Sequence, residues 1–228
     1  MTTEPEKVGL ADLQSRLRAM LPQASLSCTR LPLVPEIRLW LIDETYPRDA
    51  VDAATVYALM DEPPYWSFCW ASGQVLARYL LDHPQLVRDR TVLDLGPGSG
   101  VVGIAAALAG ARQVIACDLD PFSLMATDLN SQCNGVHLTL SDDLATSLSQ
   151  ADLVLAADIL YDRDNLPILP RLRLAAEVLL ADSRVRDLRP PGYHLLGTRQ
   201  ATTWPDLEES SEYNQVRLFA TVAQWPEP

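Results

Sequence analysis

The sequence predicts an α/β domain built on a doubly wound, mostly parallel sheet. From Thr91 onward short apolar strands alternate with helical segments, and this alternation is typical of a parallel sheet with helices on both faces. Of the 228 residues, 48% are hydrophobic and 21% are charged. The chain can therefore bury a substantial core, and general disorder is excluded. The apolar run 101–111 is interrupted by glycines and is too short for a bilayer span, which needs roughly 20 residues.

The N-terminal part predicts helices and a pair of strands ahead of this sheet. Leucines at helical spacing, β-type runs on either side of two prolines, and the breaker sequence Asp61-Glu-Pro-Pro support this interpretation. We therefore predict an extension over 1–62, packed on a main domain over 63–228. The elements expected in the extension are a helix over 9–21, strands over 25–31 and 37–42, and a helix over 50–60.

The main domain predicts a strand and helix series that ends in an antiparallel hairpin. The alternating run 215–223 is expected to close one edge of the sheet. Ligands in such folds bind at the carboxyl ends of the parallel strands. The expected elements are a helix over 71–82, strands over 91–95, 113–117, 136–140, 153–157 and 178–181, and helices over 101–109 and 121–133.

Composition limits the classes of function. The chain has 18 basic and 30 acidic residues and a formal net charge of −12, which disfavours general binding of nucleic acid. The four cysteines form no C-x-x-C pair and have no histidine cluster beside them, so no metal site is predicted. The polar start of the chain carries no apolar signal segment, and we predict a cytoplasmic protein with reduced thiols.

A glycine loop follows the first strand of the main domain, in the sequence VLDLGPGSG. Its glycines, Gly96, Gly98 and Gly100, allow a tight turn and a close approach to a ligand. The loop also matches the G-x-G-x-x-G fingerprint of dinucleotide binding. Asp94, however, would repel a pyrophosphate, whereas S-adenosylmethionine (SAM) has no phosphate and carries positive charge. The D-x-G-x-G-x-G pattern therefore predicts SAM; alternatively or in addition, Asp94 caps the loop through backbone N–H groups.

The next strand ends carry further candidate cofactor residues. Asp118 can accept hydrogen bonds from both ribose hydroxyls, and Leu119 can pack on the adenine. Asp120 is expected to cap the following helix. Asp142 can accept from the adenine amino group, although a solvated turn is the alternative there. Ala157, at the end of the fourth strand, is also assigned to the cofactor site.

Asp158 and Tyr161 follow the fourth strand, where the methyl donor would meet its acceptor. Methyl transfer is an in-line displacement that needs proximity, alignment and a free lone pair. Since the pKa of lysine is about 10.4, only about one amine in a few thousand is neutral at pH 7. Asp158 could orient the ammonium and help its proton to water, and Tyr161 could fix the amine. The alternative is a helix cap at Asp158 and a core tyrosine at Tyr161.

Residues 64–84, PYWSFCWASGQVLARYLLDHP, resemble the electron transfer flavoprotein β-subunit lysine methyltransferases, which belong to a wider group of seven-strand protein methyltransferases. The likeness continues through VLDLGPGSG, through ACDLDP with Asn130 downstream, and through the D-x-x-Y of Asp158 and Tyr161. It covers roughly 60–165, and ACDLDP is also similar to the ribosomal protein L11 methyltransferases. The resemblance implies a Rossmann-like class I fold, SAM as methyl donor, S-adenosylhomocysteine as product, and N-methylation of lysine side chains in a protein.

The resemblance also implies roles for the aromatic segment. Trp70 and the region of Gly73 would border the SAM pocket, and Trp66 would line the substrate entrance; core packing or anchoring of the hairpin is the alternative for both tryptophans. Pro97 and the C-terminal third depart from the family pattern, which puts the acceptor in doubt. Three other functions stay open: methylation of a small amine or metabolite, a non-catalytic SAM-binding partner, and an NAD-binding protein. The oligomeric state is not predicted.

Overall fold

The computed structural model describes residues 4–47 and 63–228. The N-terminal elements are helix α1 (Glu4–Met20) and the antiparallel strands β1 (Leu26–Arg30) and β2 (Arg38–Ile42), as predicted. The helix predicted over 50–60 lies outside the described residues. Among the residues that are described, no helix has the length and apolar character needed to cross a bilayer.

The main sheet has seven strands, and their order confirms the predicted fold class. The order is β5-β4-β3-β6-β7-β9-β8, in which the first five strands are parallel and β9 pairs antiparallel with both β7 and β8. The strands are β3 (Thr91–Leu95), β4 (Gln113–Cys117), β5 (Thr139–Ser141), β6 (Leu153–Ala157), β7 (Glu177–Asp182), β8 (His194–Gln200) and β9 (Gln215–Ala220).

In the described part of the chain, five helices cover this sheet, and the three that were predicted with bounds begin at the predicted residues, 71, 101 and 121. They are α2 (Ala71–Asp82), α3 (Val101–Leu108), α4 (Pro121–Cys133), α5 (Leu144–Gln150) and α6 (Ile168–Ala175). Both α4 and α5 are capped by aspartates, because Asp120 accepts from Phe122 N–H and Asp143 from Thr146 N–H. The central strands β3, β6 and β7 are buried along nearly their whole length, as expected for strands covered on both faces.

The prediction of a strand over 136–140 is wrong at its start. The N–H of Val136 donates to Ser131 O, and Gly135 has a φ of +67°, so Val136 still belongs to the turn that ends α4. Pairing with β4 begins at Thr139, opposite Ile115. The predicted hairpin at the sheet edge is present, with β9 between β7 and β8.

The N-terminal hairpin docks on α4 through side-chain amides. Asn134 accepts from Arg38 N–H and donates to Arg38 O. Asn130 accepts from Trp40 N–H at 2.7 Å and donates to Ser99 O in the glycine loop at 2.9 Å. The hairpin and the glycine loop therefore share one buried helix residue. The division into an extension over 1–62 and a domain over 63–228 stays a prediction.

Candidate cofactor and acceptor site

The glycine loop turns back at the carboxyl end of β3 because three glycines adopt positive φ. The φ angles of Gly96, Gly98 and Gly100 are +65°, +54° and +82°, which side chains rarely adopt. A Cβ at Gly96 would lie 3.1 Å from Ile159, and one at Gly100 would lie 3.1 Å from Thr127. A Cβ at Gly98 would meet no atom within 4 Å. Gly98 is therefore the position where the loop backbone faces open space.

Asp94 lies under this loop with its side chain buried. It is 1% exposed, and its Oδ2 accepts from Gly103 N–H in the first turn of α3 at 2.7 Å. Burial raises the pKa of Asp94 to about 7, against the lowering effect of that hydrogen bond. Asp94 therefore bonds a backbone N–H of α3 rather than of the loop itself, and its role towards SAM stays a prediction. The carboxyl group lies near the end of β3, and with this pKa it gains its negative charge only as the pH approaches 7.

Asp118 and Leu119 follow β4 on the neighbouring strand end. The carboxylate of Asp118 accepts from Ser123 Oγ at 2.5 Å and from Asp120 N–H at 3.0 Å. These contacts fix its orientation, and the residue stays partly exposed. Leu119 is 87% exposed, an unusual state for leucine. Both residues are available to a ligand, while Asp142, after β5, lies on an exposed turn.

Asp158, after β6, is held in a strained conformation by three donors. Its φ is +52° and it is 6% exposed. Its Oδ1 accepts from Ser72 Oγ at 2.7 Å, and from the N–H and Oγ of Ser183, each at 2.9 Å. Its Oδ2 is buried and has no hydrogen-bond partner among the described residues. The alternative of a helix cap is wrong, because no helix starts at Asp158. The carboxylate is instead oriented through Oδ1, and its Oδ2 remains available as an acceptor.

Tyr161 stands at the mouth of this site rather than in the core. It is 57% exposed, and its ring centroid lies 4.8 Å from that of Tyr65, so the alternative of a core tyrosine is wrong. Partial burial raises the pKa of the Tyr161 phenol, and the nearby charges of Asp118, Asp162 and others raise it further. Tyr161 therefore lies within electrostatic range of the carboxylate predicted to hold the ribose.

The aromatic segment divides between the core and the site. Trp66 is 2% exposed and packs with Leu13, Leu17 and Leu129, so its predicted place at the substrate entrance is wrong and core packing is its role. Trp70 is partly buried, and its Nε1 donates to Tyr65 O at 3.0 Å.

Gly73 contacts the helix that starts at the glycine loop. A Cβ at Gly73 would lie 2.9 Å from Val101 Cγ1, so this glycine permits close packing of α2 against α3. Ala157, at the end of β6, is only partly buried. A separate apolar pocket of about 270 Å³ opens beside Tyr65 and Trp70, away from the glycine loop.

Several polar residues of the site were not predicted from the sequence. Ser72 and Ser183 orient Asp158, and Arg184 lies over the ring of Trp70 with 4.9 Å from the guanidinium carbon to the ring centroid. Asp182 is fully buried, and burial raises its pKa to about 6. The sequence carries no signal for these contacts, because they form only when the segment after β7 folds back on α2.

Solved structures confirm the Rossmann-like fold. The structure of a candidate RNA methyltransferase from Pyrococcus horikoshii is similar over 65% of this chain and 80% of its own, with a TM-score of 0.53 and 17% identity. A candidate SAM-dependent methyltransferase from Streptococcus mutans is similar over 66% and 49%, with a TM-score of 0.50 and 12% identity. A related structure at TM-score 0.50 and 13% identity, covering 67% of this chain and 50% of its own, was solved with S-adenosylhomocysteine.

Sequence comparisons confirm the predicted resemblances. The family model of the ribosomal protein L11 methyltransferase (PrmA) matches residues 75–163. The electron transfer flavoprotein β-subunit lysine methyltransferase of Mus musculus is 37% identical over 157 residues, or 67% of this chain and 60% of that protein. The Homo sapiens protein of the same name is 36% identical over 67% of this chain and 58% of its own length. The chain thus spans about 60% of the length of these curated relatives.

Proposed function

We propose that this protein is a SAM-dependent methyltransferase that methylates lysine amines of a protein substrate. The observation that carries the proposal is the set of carboxylates at the strand ends, Asp94, Asp118 and Asp158, around a glycine loop that opens to ligand at Gly98. Such a site suits a cofactor and an acceptor that both carry positive charge. The names of the curated relatives agree with this chemistry.

The residues present fit SAM better than a dinucleotide. Asp94 and Asp118 lie close enough for the charge of Asp118 to raise the pKa of Asp94 further, after burial, and this pair would repel a pyrophosphate. We assign the ribose hydroxyls to Asp118, and the adenine to the exposed Leu119 with Asp142 beside it. The backbone at Gly98, together with Ala157, would border the remainder of the cofactor. We assign Trp70 to the acceptor side instead, because its Nε1 donates to Tyr65 O. When bound, SAM supplies a methyl group on a sulfonium.

The acceptor side is built to orient a cationic amine. Asp158 Oδ2 is a buried acceptor that lacks a partner among the described residues, and an ammonium N–H would satisfy it. Tyr161 and Tyr65 offer ring faces at the mouth. A lysine must lose a proton before it can attack, at a cost of roughly 4–5 kcal/mol at pH 7. We infer that Asp158 aligns the ammonium and passes its proton to water, so that the freed lone pair faces the methyl group.

A protein side chain suits this mouth better than an enclosed metabolite. Tyr161 is 57% exposed and Tyr65 is 36% exposed, so the aromatic pair is open to a large partner. The net charge of −12 would steer a basic partner towards the protein. An electron transfer flavoprotein β-subunit is the first acceptor to test, because the relatives are named as lysine methyltransferases of that subunit. The cytoplasm as the site of action stays a prediction.

The experiment is transfer of label from tritiated SAM into a lysate that lacks the gene, followed by separation into protein, nucleic acid and small-molecule fractions. We expect label in discrete protein bands. Asp158→Asn should lower the rate by about 10²-fold or more, as loss of a proton-handling group does. The matched control is Asp164→Asn, because Asp164 lies on the exposed turn that follows; it should stay within about twofold. Label found only in the small-molecule fraction would refute the proposal that the acceptor is a protein.

A further inference from the structure

Arg184 is a partly buried cation that lies over two aromatic rings. It lies two residues beyond β7, and its side chain is 14% exposed. The guanidinium carbon lies 4.9 Å from the centroid of Trp70 and 5.0 Å from that of Tyr213. Trp70 precedes α2, and Tyr213 precedes β9. One side chain therefore joins three separate parts of the chain.

A carboxylate holds Arg184 in this place. Glu209 accepts from both terminal nitrogens of Arg184, at 2.6 Å and 3.3 Å, and also from Thr203 Oγ1 at 2.7 Å. Burial alone would lower the pKa of Arg184, but the bond to Glu209 and the charge of Asp158 raise it above its ordinary value. The guanidinium is therefore fixed by Glu209 through both terminal nitrogens, while its carbon lies over the rings of Trp70 and Tyr213.

The contacts of Arg184 lead directly to the acceptor side of the site. Trp70 Nε1 donates to Tyr65 O, and the ring of Tyr65 contacts the ring of Tyr161. The path therefore runs from Arg184 through Trp70 and Tyr65 to Tyr161. The glycine loop is not part of this path. A change at Arg184 should thus reach the acceptor before it reaches the cofactor.

We propose that Arg184 is a positioning residue for the acceptor: by fixing Trp70 it places Tyr65 and Tyr161 at the mouth of the Asp158 site. The inference rests on the proposed function of that site. The arrangement needs arginine, because a planar guanidinium can stack on rings while its edge binds a carboxylate, and a lysine ammonium cannot do both. It also assigns a task to the segment 203–213, which departs from the family pattern.

The test compares Arg184→Gln and Arg184→Lys with the control Arg186→Gln. Arg186 lies two residues away and also pairs with a glutamate, Glu212, but its side chain is 79% exposed. With electron transfer flavoprotein β-subunit as acceptor, both Arg184 variants should raise the acceptor KM by about tenfold or more, since small misplacements are costly in catalysis. The Kd of SAM should stay within about twofold. The control should match the wild type in both.

Two further measurements separate positioning from a general loss of structure. In a double-mutant cycle with Trp70→Phe, Arg184→Gln should add little, because its effect passes through Trp70. Acrylamide should quench tryptophan fluorescence more strongly in Arg184→Gln than in the wild type, because Trp70 becomes more accessible. Quenching should be the same in Trp70→Phe and in the double variant, since neither contains Trp70.

Three results would overturn the proposal. Arg184→Lys could have full activity, or the Kd of SAM could rise as much as the acceptor KM. The third result is that the effects of Arg184→Gln and Trp70→Phe multiply fully in the double variant. If the wild type methylates no protein, the proposed function fails. The positioning role is refuted separately if quenching is the same in Arg184→Gln as in the wild type.

Discussion

Replacing Asn130 by alanine should remove the hydrogen bonds that join the N-terminal hairpin, through α4, to the glycine loop. Asn130 is fully buried, and its amide serves Trp40 N–H on the hairpin and Ser99 O in the loop. Alanine has no side-chain amide, so Trp40 N–H and Ser99 O both lose their hydrogen-bond partner. Ser99 is 3% exposed, whereas the Trp40 bond is partly buried. The loss at Ser99 should therefore be the larger of the two.

The magnitude follows from these two bonds. An unsatisfied buried polar group costs about 1–3 kcal/mol, and alanine returns roughly 0.5 kcal/mol through its higher helix propensity. The two lost bonds together cost about 2–6 kcal/mol, so the net loss in the free energy of unfolding is about 1.5–5.5 kcal/mol. For a chain of 228 residues this corresponds to a fall in Tm of about 3–20 °C, at about 2–4 °C per kcal/mol.

The assay is urea unfolding and calorimetry of Asn130→Ala beside Gln132→Ala. Gln132 lies on the same helix, and its amide makes only an exposed bond to Asp128, so its loss should stay within about 0.5 kcal/mol. A second readout is SAM affinity, which should weaken only in Asn130→Ala because Ser99 belongs to the loop. An Asn130 variant as stable as the Gln132 variant would refute the reasoning.

Two further predictions concern the cofactor side of the site. Gly98→Ala and Gly135→Ala place a side chain at similar φ, +54° and +67°, with no atom within 4 Å of the new Cβ in either case. Both should lose about 1–2 kcal/mol of stability, but only Gly98→Ala should weaken SAM binding in a titration; equal SAM affinities would contradict the assigned loop. Burial raises the pKa of Asp94 to about 7 in the fold, above about 3.9 in the unfolded chain, so its contribution to stability is complete below pH 4 and is lost as the pH rises to 7. The same ionisation should strengthen SAM binding as the pH rises from 4 to 7, because the cofactor carries positive charge. Asp94→Asn should flatten the slope of the urea midpoints, to which Asp182 contributes in the same direction, and should abolish this rise in SAM affinity. Unchanged slopes would count against a buried, titrating Asp94.

The sequence predicts the sheet and the strand-end carboxylates because both are local. Strands β3, β4 and β6 have the predicted bounds, since continuous apolar runs bounded by breakers define them. The start of β5 was missed because a glycine at positive φ extends the turn after α4. Side-chain environments that depend on distant segments could not be read in this way.

Trp66, Trp70 and Arg184 illustrate that limit. Trp66 and Trp70 are four positions apart in one aromatic segment, yet the first packs against α1 and α4, whereas the second is only partly buried and donates to Tyr65 O. Which tryptophan goes inward depends on the packing of α1, about 50 residues earlier. Arg184 meets Trp70 only because the backbone of Trp204 pairs with Cys69 and brings the C-terminal segment alongside.

The most direct test of the central claim is the position of the transferred methyl group. Purified protein, SAM with a deuterated methyl group and recombinant electron transfer flavoprotein β-subunit would be incubated together, and the acceptor analysed by tandem mass spectrometry. The proposed function predicts the deuterated methyl on a lysine side-chain nitrogen, lost with Asp158→Asn and kept with Asp164→Asn. An acceptor protein without labelled lysine, while SAM is bound and consumed on a small amine, would contradict it.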